Sequence, residues 1–469
     1  MRMELKNKRV LVVGLARTGV ATALFCAARG AKVTATESRN EKDIGGAVAQ
    51  LRAAGVTLEL GGHQEQTFVS EDLIVPSPGV PADFPLLQVA RAKGVKVWSE
   101  IELAYRFLEG RLIGITGSNG KTTTTSLVEH ILRSAEFQTI LAGNIGTPLI
   151  SCVNGMTSTT VTVVELSSFQ LELIEEFRPN ISVFLNLTPD HLDRHGSMDA
   201  YAAAKARIFE NQRERDVAVV NADDASTLPY APKRTPVYWF SRKKRVEQGA
   251  AVHGDQIVFR REGKDEQVMV RNEIPLVGEH NLENVLAAVA ATRLTGADPK
   301  AIAKGVKSFA GVEHRLEFLA EIGGVRYYND SKATNVDATL KALDAFPGRV
   351  LIILGGKDKG SDYRVLQQPL KQKAIVALLI GAASEKIEKQ IAGSVAVKRA
   401  GTLARAVELA SSAARPGDVV LLAPACASFD QFENYEHRGR VFKELVRRVQ
   451  ELSAGTAAGK TAPANAGRG

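Results

Sequence analysis

Cysteine is scarce in this chain. Its three cysteines, Cys26, Cys152 and Cys426, lie far apart, and none stands in C-x-x-C spacing. A disulfide framework and a thiolate metal site are therefore not expected, and a reducing compartment suits the sequence. Long apolar runs are missing as well. None reaches the about 20 residues that cross a bilayer, so no membrane span is expected. The opening MRMELKNKRVLVVG passes directly into a strand pattern, without a signal-peptide core or small-residue cleavage site. A cytoplasmic protein is the expectation. Aromatics make up only 6% of the residues. The formal charge of +8 is dispersed, apart from Arg242-Lys243-Lys244-Arg245, which reads as a solvated turn. Without an aromatic-and-basic stripe, nucleic acid is not the expected partner. A positive surplus suits polyanionic small substrates equally well.

What is plentiful is ordinary globular sequence, with 45% hydrophobic and 24% charged residues over 469 positions. That length is enough for about two to four domains. One stretch organises the rest. Residues 111–129, RLIGITGSNGKTTTTSLVE, read as an apolar strand to Thr116 and a loop, Gly117-Ser118-Asn119-Gly120. Lys121-Thr122 then opens a helix with Leu127, Val128, Ile131 and Leu132 on one face. The N–H groups of such a loop curl around phosphate oxygens, and the helix N-terminus adds partial positive charge. Lys121 is placed to reach terminal phosphates, and the Thr122 hydroxyl to bind Mg²⁺. Ile115 stands where the strict G-x-x-x-x-G-K-[ST] pattern has glycine, so the loop is a variant.

Upstream, KRVLVV (8–13) reads as a strand, Gly14-Leu15-Ala16-Arg17-Thr18-Gly19 as a turn, and Lys32 to Thr36 as a second strand before Glu37-Ser38-Arg39. An acidic residue about 20 positions past the glycines suits a dinucleotide-binding half, with a plain α/β packing turn as the alternative. A helix near 41–54 and strands at 56–60 and 72–75 follow. The last ends in Ser77-Pro78-Gly79, at the carboxyl end of a strand, where open parallel sheets place ligands.

Downstream of the phosphate loop, strands at 139–142 and 161–164 lead into Gly143-Asn144-Ile145-Gly146 and Glu165. A carboxylate leaving an apolar strand near a phosphate loop suits an Mg²⁺ ligand or water-orienting group. Taken alone, it suits a helix-initiating acid better. The strand 181–185 runs into TPDHLDRH, more polar than a connector needs, although a lone histidine is usually structural. On a helix over 198–211, Lys205 by itself reads as solvent-facing. Strand pieces at 217–220, 236–240 and 256–260 complete a mixed sheet, and a long apolar helix spans 282–294. In the last third, strands at 325–328, 349–354, 375–380 and 418–422 are expected. Three of them end in small and charged residues, as in a sheet whose carboxyl edge faces a ligand. The expectation is an α/β protein of three domains: Rossmann-like over 1–96, a central P-loop-type mixed sheet over 97–310, and Rossmann-like over 311–453. An Ala/Gly-rich tail, 454–469, is expected to be disordered. Residue chemistry alone points to a ligase or kinase closing on anionic substrates.

Several stretches together resemble one family, the Mur ligases: ITGSNGKT (115–122), GNIG (143–146), ELSSFQLE (165–172), TPDHLDRH (188–195) and YAAAKARIFEN (201–211). GEHNLENVLAA (278–288), HRLE (314–317), NDSKATN (329–335), LGGKDKG (354–360) and PACASFDQFENYEHRG (424–439) continue the series in family order. ELSSFQLE and PACASFDQF favour the D-glutamate-adding branch. The resemblance implies an ATP-dependent, ADP-forming ligase of peptidoglycan precursor synthesis, working through an acyl phosphate on UDP-N-acetylmuramoyl-L-alanine and D-glutamate, and acting as a monomer. Another Mur-type amide ligase or a folylpolyglutamate synthetase is the alternative. A nucleic-acid-stimulated P-loop ATPase and a non-catalytic nucleotide-binding scaffold are the readings from other classes.

The resemblance also implies roles, residue by residue. The loop Gly117 to Gly120, with Lys121 and Thr122, takes ATP phosphates. Two magnesium ions are expected, held by Thr122, Glu165, His191 and a Lys205 carbamylated by CO₂, which turns a cation into an oxygen ligand suited to Mg²⁺. Lys121, Glu165, His191 and Lys205 form the expected catalytic set. Asn281, Arg315 and Asp330 are expected on ATP, Arg315 at phosphate and Asp330 at ribose. Arg17, Thr18, Glu37, Ser38, Arg39, Ser77 and Gly79 would hold the UDP part, and Asn144 and Gln170 the muramoyl end. Thr334, Lys359, Ser428 and the Phe429 backbone would hold the D-glutamate carboxylates, with Tyr435 over them. Arg17, Glu37 and Tyr435 depart from the family's usual residues.

Overall fold

The computed structural model describes residues 3–459. The chain forms two compact units, Met1–Pro275 with Leu282–Phe309, and Leu276–Asn281 with Ala310–Gly469.

The first unit contains two sheets. In one, β1 (Arg9–Val13), β2 (Lys32–Glu37), β3 (Thr57–Leu60), β4 (Leu73–Pro76) and β5 (Lys96–Val97) lie parallel in the order β3-β2-β1-β4-β5. Val10 to Val13 are fully buried, as the unbroken apolar run requires of a central strand covered on both faces. The chain reverses its winding direction beside β1. The turns after β1 and β4 therefore meet at the crevice where such sheets bind ligands.

The other sheet is built on β6 (Arg111–Thr116), β7 (Thr139–Gly143), β8 (Val161–Glu165), β9 (Ile181–Phe184) and β10 (Val217–Asn221). It continues with β11 (Val237–Ser241), β12 (Gly249–His253), β13 (Gln256–Arg261) and β14 (Lys264–Val270). The order is β14-β13-β12-β11-β10-β9-β6-β8-β7, parallel up to β12 and antiparallel over the last three. β6 thus lies between β8 and β9, with Ile115 opposite Glu165 and Thr116 opposite Phe184. The acidic end of β8 and the polar stretch after β9 are thereby set on either side of the glycine loop.

The second unit has β15 (Glu317–Ile322), β16 (Val325–Asn329), β17 (Val350–Gly355), β18 (Ala374–Ile380), β19 (Ala396–Gly401) and β20 (Val419–Leu422) in the order β15-β16-β20-β17-β18-β19. All pairs are parallel except β15 with β16. β20 sits between β16 and β17, so residues 424–428 emerge between the loops that begin at Asp330 and Gly356.

Five strands lie outside the sequence reading: β5, β12, β14, β15 and β19. β14, β15 and β19 are sheet edges with charged residues on their open faces, and edge strands of that kind lack the apolar alternation that marks a strand in sequence. The expected helix over 41–54 is two helices, Glu41–Ile44 and Ala47–Ala53, broken where Gly45 takes φ 74°. The last helix runs Tyr435–Gly459, so it passes the expected end of the third domain at 453 by six residues. Alanines at 454, 457 and 458 have the propensity to continue it. The rest of the expected tail, 460–469, lies outside the described residues. Among the described residues no helix is long and apolar enough to cross a membrane.

Candidate active site

The loop after β6 is built as a cradle. Gly120 has φ 80°, and a Cβ there would lie 2.2 Å from Asn284 Oδ1, so only glycine fits. The helix Lys121–Ser134 starts directly behind it. The loop is stitched to the segment after β9. Ser118 N donates to Asn186 O (2.9 Å) and Asn119 N to Asn186 Oδ1 (2.8 Å). Ser118 Oγ donates to Thr188 O (2.9 Å), and Asn119 Nδ2 to Thr188 Oγ1 (3.0 Å). Asn186, Thr188 and Asn284 are thus the loop's scaffold. For Asn186 and Thr188 the signal in sequence was only that polar residues follow an apolar strand, and Asn284 lies within the helix Glu279–Thr295. Lys121 Nζ is held at the loop by the carbonyls of Gly117 and Ser118, each at 2.8 Å.

Beside the loop, Glu165 is 2% exposed. Its Oε1 accepts from Asn144 Nδ2 (2.8 Å), while Oε2 is buried without a hydrogen-bond partner. Lys205 is 1% exposed, which overturns the solvent-facing reading. Small Ala202 and Ala204 let its helix pack close, and Tyr201 places a ring 4.7 Å from Nζ. Burial, and then the Lys121 ammonium, hold the Lys205 amine well below the usual lysine range, against the opposing pull of Asp190 and Glu165. His191 is half exposed and takes φ 53°, with its N–H on Asp190 Oδ1 (3.0 Å) and its ring 4.9 Å from Phe169. Thr122 lies in the first helical turn, half-buried.

No group of three His, Cys, Asp or Glu poised for a metal occurs among the described residues. A magnesium–nucleotide site does not need one. Mg²⁺ takes one or two protein oxygens and completes its shell with phosphates and water. The unpartnered Glu165 Oε2 near the loop fits that requirement.

At the crevice of the first sheet, a Cβ at Gly19 would lie 1.9 Å from Gly14 O, which explains the second glycine. Ser77 Oγ donates to Gly14 O (2.8 Å) and ties the two turns together. Glu37 is buried and its four acceptor positions are filled. Oε2 accepts from Leu15 N (2.9 Å) and Arg39 Nη2 (2.9 Å), and Oε1 from Ser38 Oγ (3.1 Å) and Arg39 N (3.2 Å). These donors, Arg39 foremost, outweigh burial and bring the carboxyl down to about 2. Arg17, Ser38, Arg39 and Gly79 are exposed, and Thr18 is half-buried. Asn144 is exposed, whereas Gln170 is buried with its Oε1 accepting from Ser167 N (3.0 Å) in a capping box. Ser-x-x-Gln before a helix is a readable sign of that box.

The second unit gathers its own set. Asp330, just past β16, is pushed up to about 7 by burial, against the pull of Arg315 and the Leu316 N–H. Arg315 sits between His314 (φ 65°) and Leu316 (φ 42°), and its Nε has no hydrogen-bond partner among the described residues. Asn281 Nδ2 donates to Val277 O (2.7 Å). Thr334 is half-buried, Lys359 exposed, Ser428 buried, and Phe429 is 65% exposed. Tyr435 OH accepts from Lys332 Nζ (2.8 Å).

One residue that the sequence reading passed over holds this edge together. Arg438 is 0% exposed, and among the described residues no carboxylate pairs with it. Its Nε donates to Ser331 Oγ (2.9 Å), Nη2 to Ser331 O (2.8 Å), and Nη1 to Cys426 O (3.2 Å). It clamps the ends of β16 and β20 to the last helix. Burial brings the guanidinium down to about 10, against the weaker opposing pull of Cys426 and Asp430. Replacing Arg438 with methionine keeps the bulk but strands buried carbonyls. A loss of about 3 kcal/mol in chemical denaturation is expected.

Fold and loop together define a nucleotide-binding α/β protein of the phosphate-loop class. Three family models match it: Mur ligase MurD-like, N-terminal domain over residues 8–99; Mur ligase middle domain over 115–292; and Mur ligase, glutamate ligase domain over 314–426. The chain belongs to the Mur ligase family. It is 54% identical to the UDP-N-acetylmuramoylalanine–D-glutamate ligase of Koribacter versatilis, over 96% of this chain and 99% of that one. It is 53% identical to the ligase of the same name from Acidobacterium capsulatum, over 95% and 97%. Among solved structures, MurF ligase from Thermotoga maritima in complex with ADP has the same fold, with TM-score 0.60 and 17% identity, covering 96% of this chain and 100% of that one.

Proposed function

We propose that this protein joins D-glutamate to UDP-N-acetylmuramoyl-L-alanine, converting ATP to ADP and phosphate. The observation that carries the proposal is near full-length identity above 50% to ligases named for that reaction. The loop geometry around Lys121 suits its first step.

A carboxylate is a poor electrophile, so the alanyl carboxylate first attacks the γ-phosphorus of ATP, and ADP leaves. The D-glutamate amine then attacks the carbonyl carbon, loses a proton, and phosphate departs with one former carboxylate oxygen. The first step brings anions together, and this chain answers with fixed cations and donors. The loop N–H groups and Lys121 bind the phosphates, Arg315 takes phosphate charge, Asp330 takes the ribose, and Asn281 contacts ATP. Magnesium, when bound, neutralises the crowded oxygens. Thr122, Glu165, His191 and Lys205 are the residues that would hold it.

Lys205 fits that role only as a carbamate. Its depressed basicity leaves a neutral amine whose lone pair can attack CO₂, and release of one proton leaves a two-oxygen anion. Burial would otherwise be costly for an ammonium, since the pull of Asp190 and Glu165 does not offset it. Thr334, Lys359, Ser428 and the Phe429 N–H supply cation and donors for the two D-glutamate carboxylates, beside Tyr435. Arg17, Thr18, Ser38, Arg39, Ser77 and Gly79 hold the UDP part, and Asn144 and Gln170 the muramoyl end. Glu37, with every acceptor position filled, acts by bracing the Leu15 turn. No assigned residue needs a second copy, so a monomer suffices, and the reaction belongs in the cytoplasm with its nucleotides.

The test is phosphate release from ATP and UDP-N-acetylmuramoyl-L-alanine with single amino acids. D-glutamate should support it at least about 10²-fold better than L-alanine or a diamino acid, because a site built for two carboxylates rejects an acceptor lacking one. Equal rates, or a preference for a diamino acid, would overturn the assignment.

A further inference from the structure

Arg194 has no place in the chemistry above, yet it reaches three different parts of the first unit. Its Nη1 donates to Pro78 O (2.9 Å) and its Nη2 to Val80 O (3.1 Å), both in the turn after β4. Nη2 also meets Glu172 Oε2 at 3.2 Å. The guanidinium lies 4.0 Å from the centre of the Phe169 ring. That ring also meets His191, edge-on at 4.9 Å, and His195, stacked at 5.5 Å. His191 is the N-cap of the short helix Leu192–His195 that carries Arg194, and Arg194 N donates to His191 O (3.1 Å).

One side chain therefore grips the Ser77–Val80 turn on one side and supports His191 on the other. His191 itself has left-handed backbone, which a non-glycine residue keeps only when its surroundings impose it. A shift of the turn must move the guanidinium, and with it the Phe169 ring and the helix behind His191. Lysine has one point charge and cannot hold two carbonyls, a carboxylate and a ring face at once.

We propose that Arg194 is a positioning residue that couples the nucleotide-sugar turn to His191, so that filling one site favours filling the other. This rests on the proposed function for what the two sites bind. Coupling of this kind is reciprocal, and is commonly about 5–150-fold in affinity.

Calorimetric titration of UDP-N-acetylmuramoyl-L-alanine tests it without turnover, with and without Mg²⁺ and a non-hydrolysable ATP analogue. In the unmodified protein the metal nucleotide should tighten the muramoyl nucleotide at least about 5-fold. In Arg194→Lys that ratio should fall to about one, with unchanged melting temperature and each ligand alone bound within about threefold. Phe169→Leu cuts the same path at its other end, without touching the turn, and should lower the ratio too. Full coupling retained in folded Arg194→Lys or Phe169→Leu would overturn the inference, as would two tight ligands with no coupling in the unmodified protein. Failure of the unmodified protein to bind the muramoyl nucleotide at all would instead remove the proposed function, and the inference with it.

Discussion

Lys121→Ala is expected to cut ATP-dependent ligation by about 10²–10³-fold while the protein stays folded. The ammonium is the fixed positive charge at the mouth of the glycine loop, where charge accumulates as a carboxylate approaches the γ-phosphate. Removing it costs the step a donor that needs no reorganisation. The loop itself should survive, because the bonds from Ser118 and Asn119 to Asn186 and Thr188 remain when those from Lys121 Nζ to the Gly117 and Ser118 carbonyls are lost. The signature is a fall in kcat with little change in melting temperature. Near-normal turnover would remove the phosphate-loop assignment.

Lys205→Ala should show a different signature. Activity is expected to fall by at least about 10²-fold, and formate or acetate should restore part of it by supplying the lost oxygens. Stability should be unchanged or higher, because the substitution removes a buried amine whose charged form is disfavoured there. A structural lysine would behave in the opposite way, losing stability and gaining nothing from carboxylates. An unmodified Lys205 in the active protein, seen as an unshifted peptide mass under conditions that preserve carbamates, would also count against the assignment.

Both residues show how far the sequence carries. Lys121 was legible because strand, glycines and Lys-Thr follow one another within a few positions, so local pattern sufficed. Lys205 was not, since its burial depends on Tyr201 and on the packing of a helix that reads as alanine-rich and unremarked. The role proposed for it rests on resemblance. The largely apolar strands β1, β8, β17 and β20 were plain, because central parallel strands are buried on both faces and read as nearly continuous hydrophobic runs. The edges β14, β15 and β19 were missed for the converse reason. Arg438 and Arg194 escaped for a third. An arginine is ordinarily a surface residue, and only the fold reveals that these two face backbone carbonyls. Glu37 was placed at the UDP part by resemblance, and only the fold shows that its four acceptor positions are filled by Leu15, Ser38 and Arg39.

The proposed reaction turns on activation of the alanyl carboxylate by phosphorylation before the amide forms. Oxygen labelling tests it most directly. UDP-N-acetylmuramoyl-L-alanine carrying ¹⁸O in its terminal carboxylate is incubated with ATP, Mg²⁺, D-glutamate and the protein, and the released phosphate is analysed by mass. One labelled oxygen per phosphate, formed together with ADP and the extended nucleotide, is the predicted result. Unlabelled phosphate alongside the same product would contradict it.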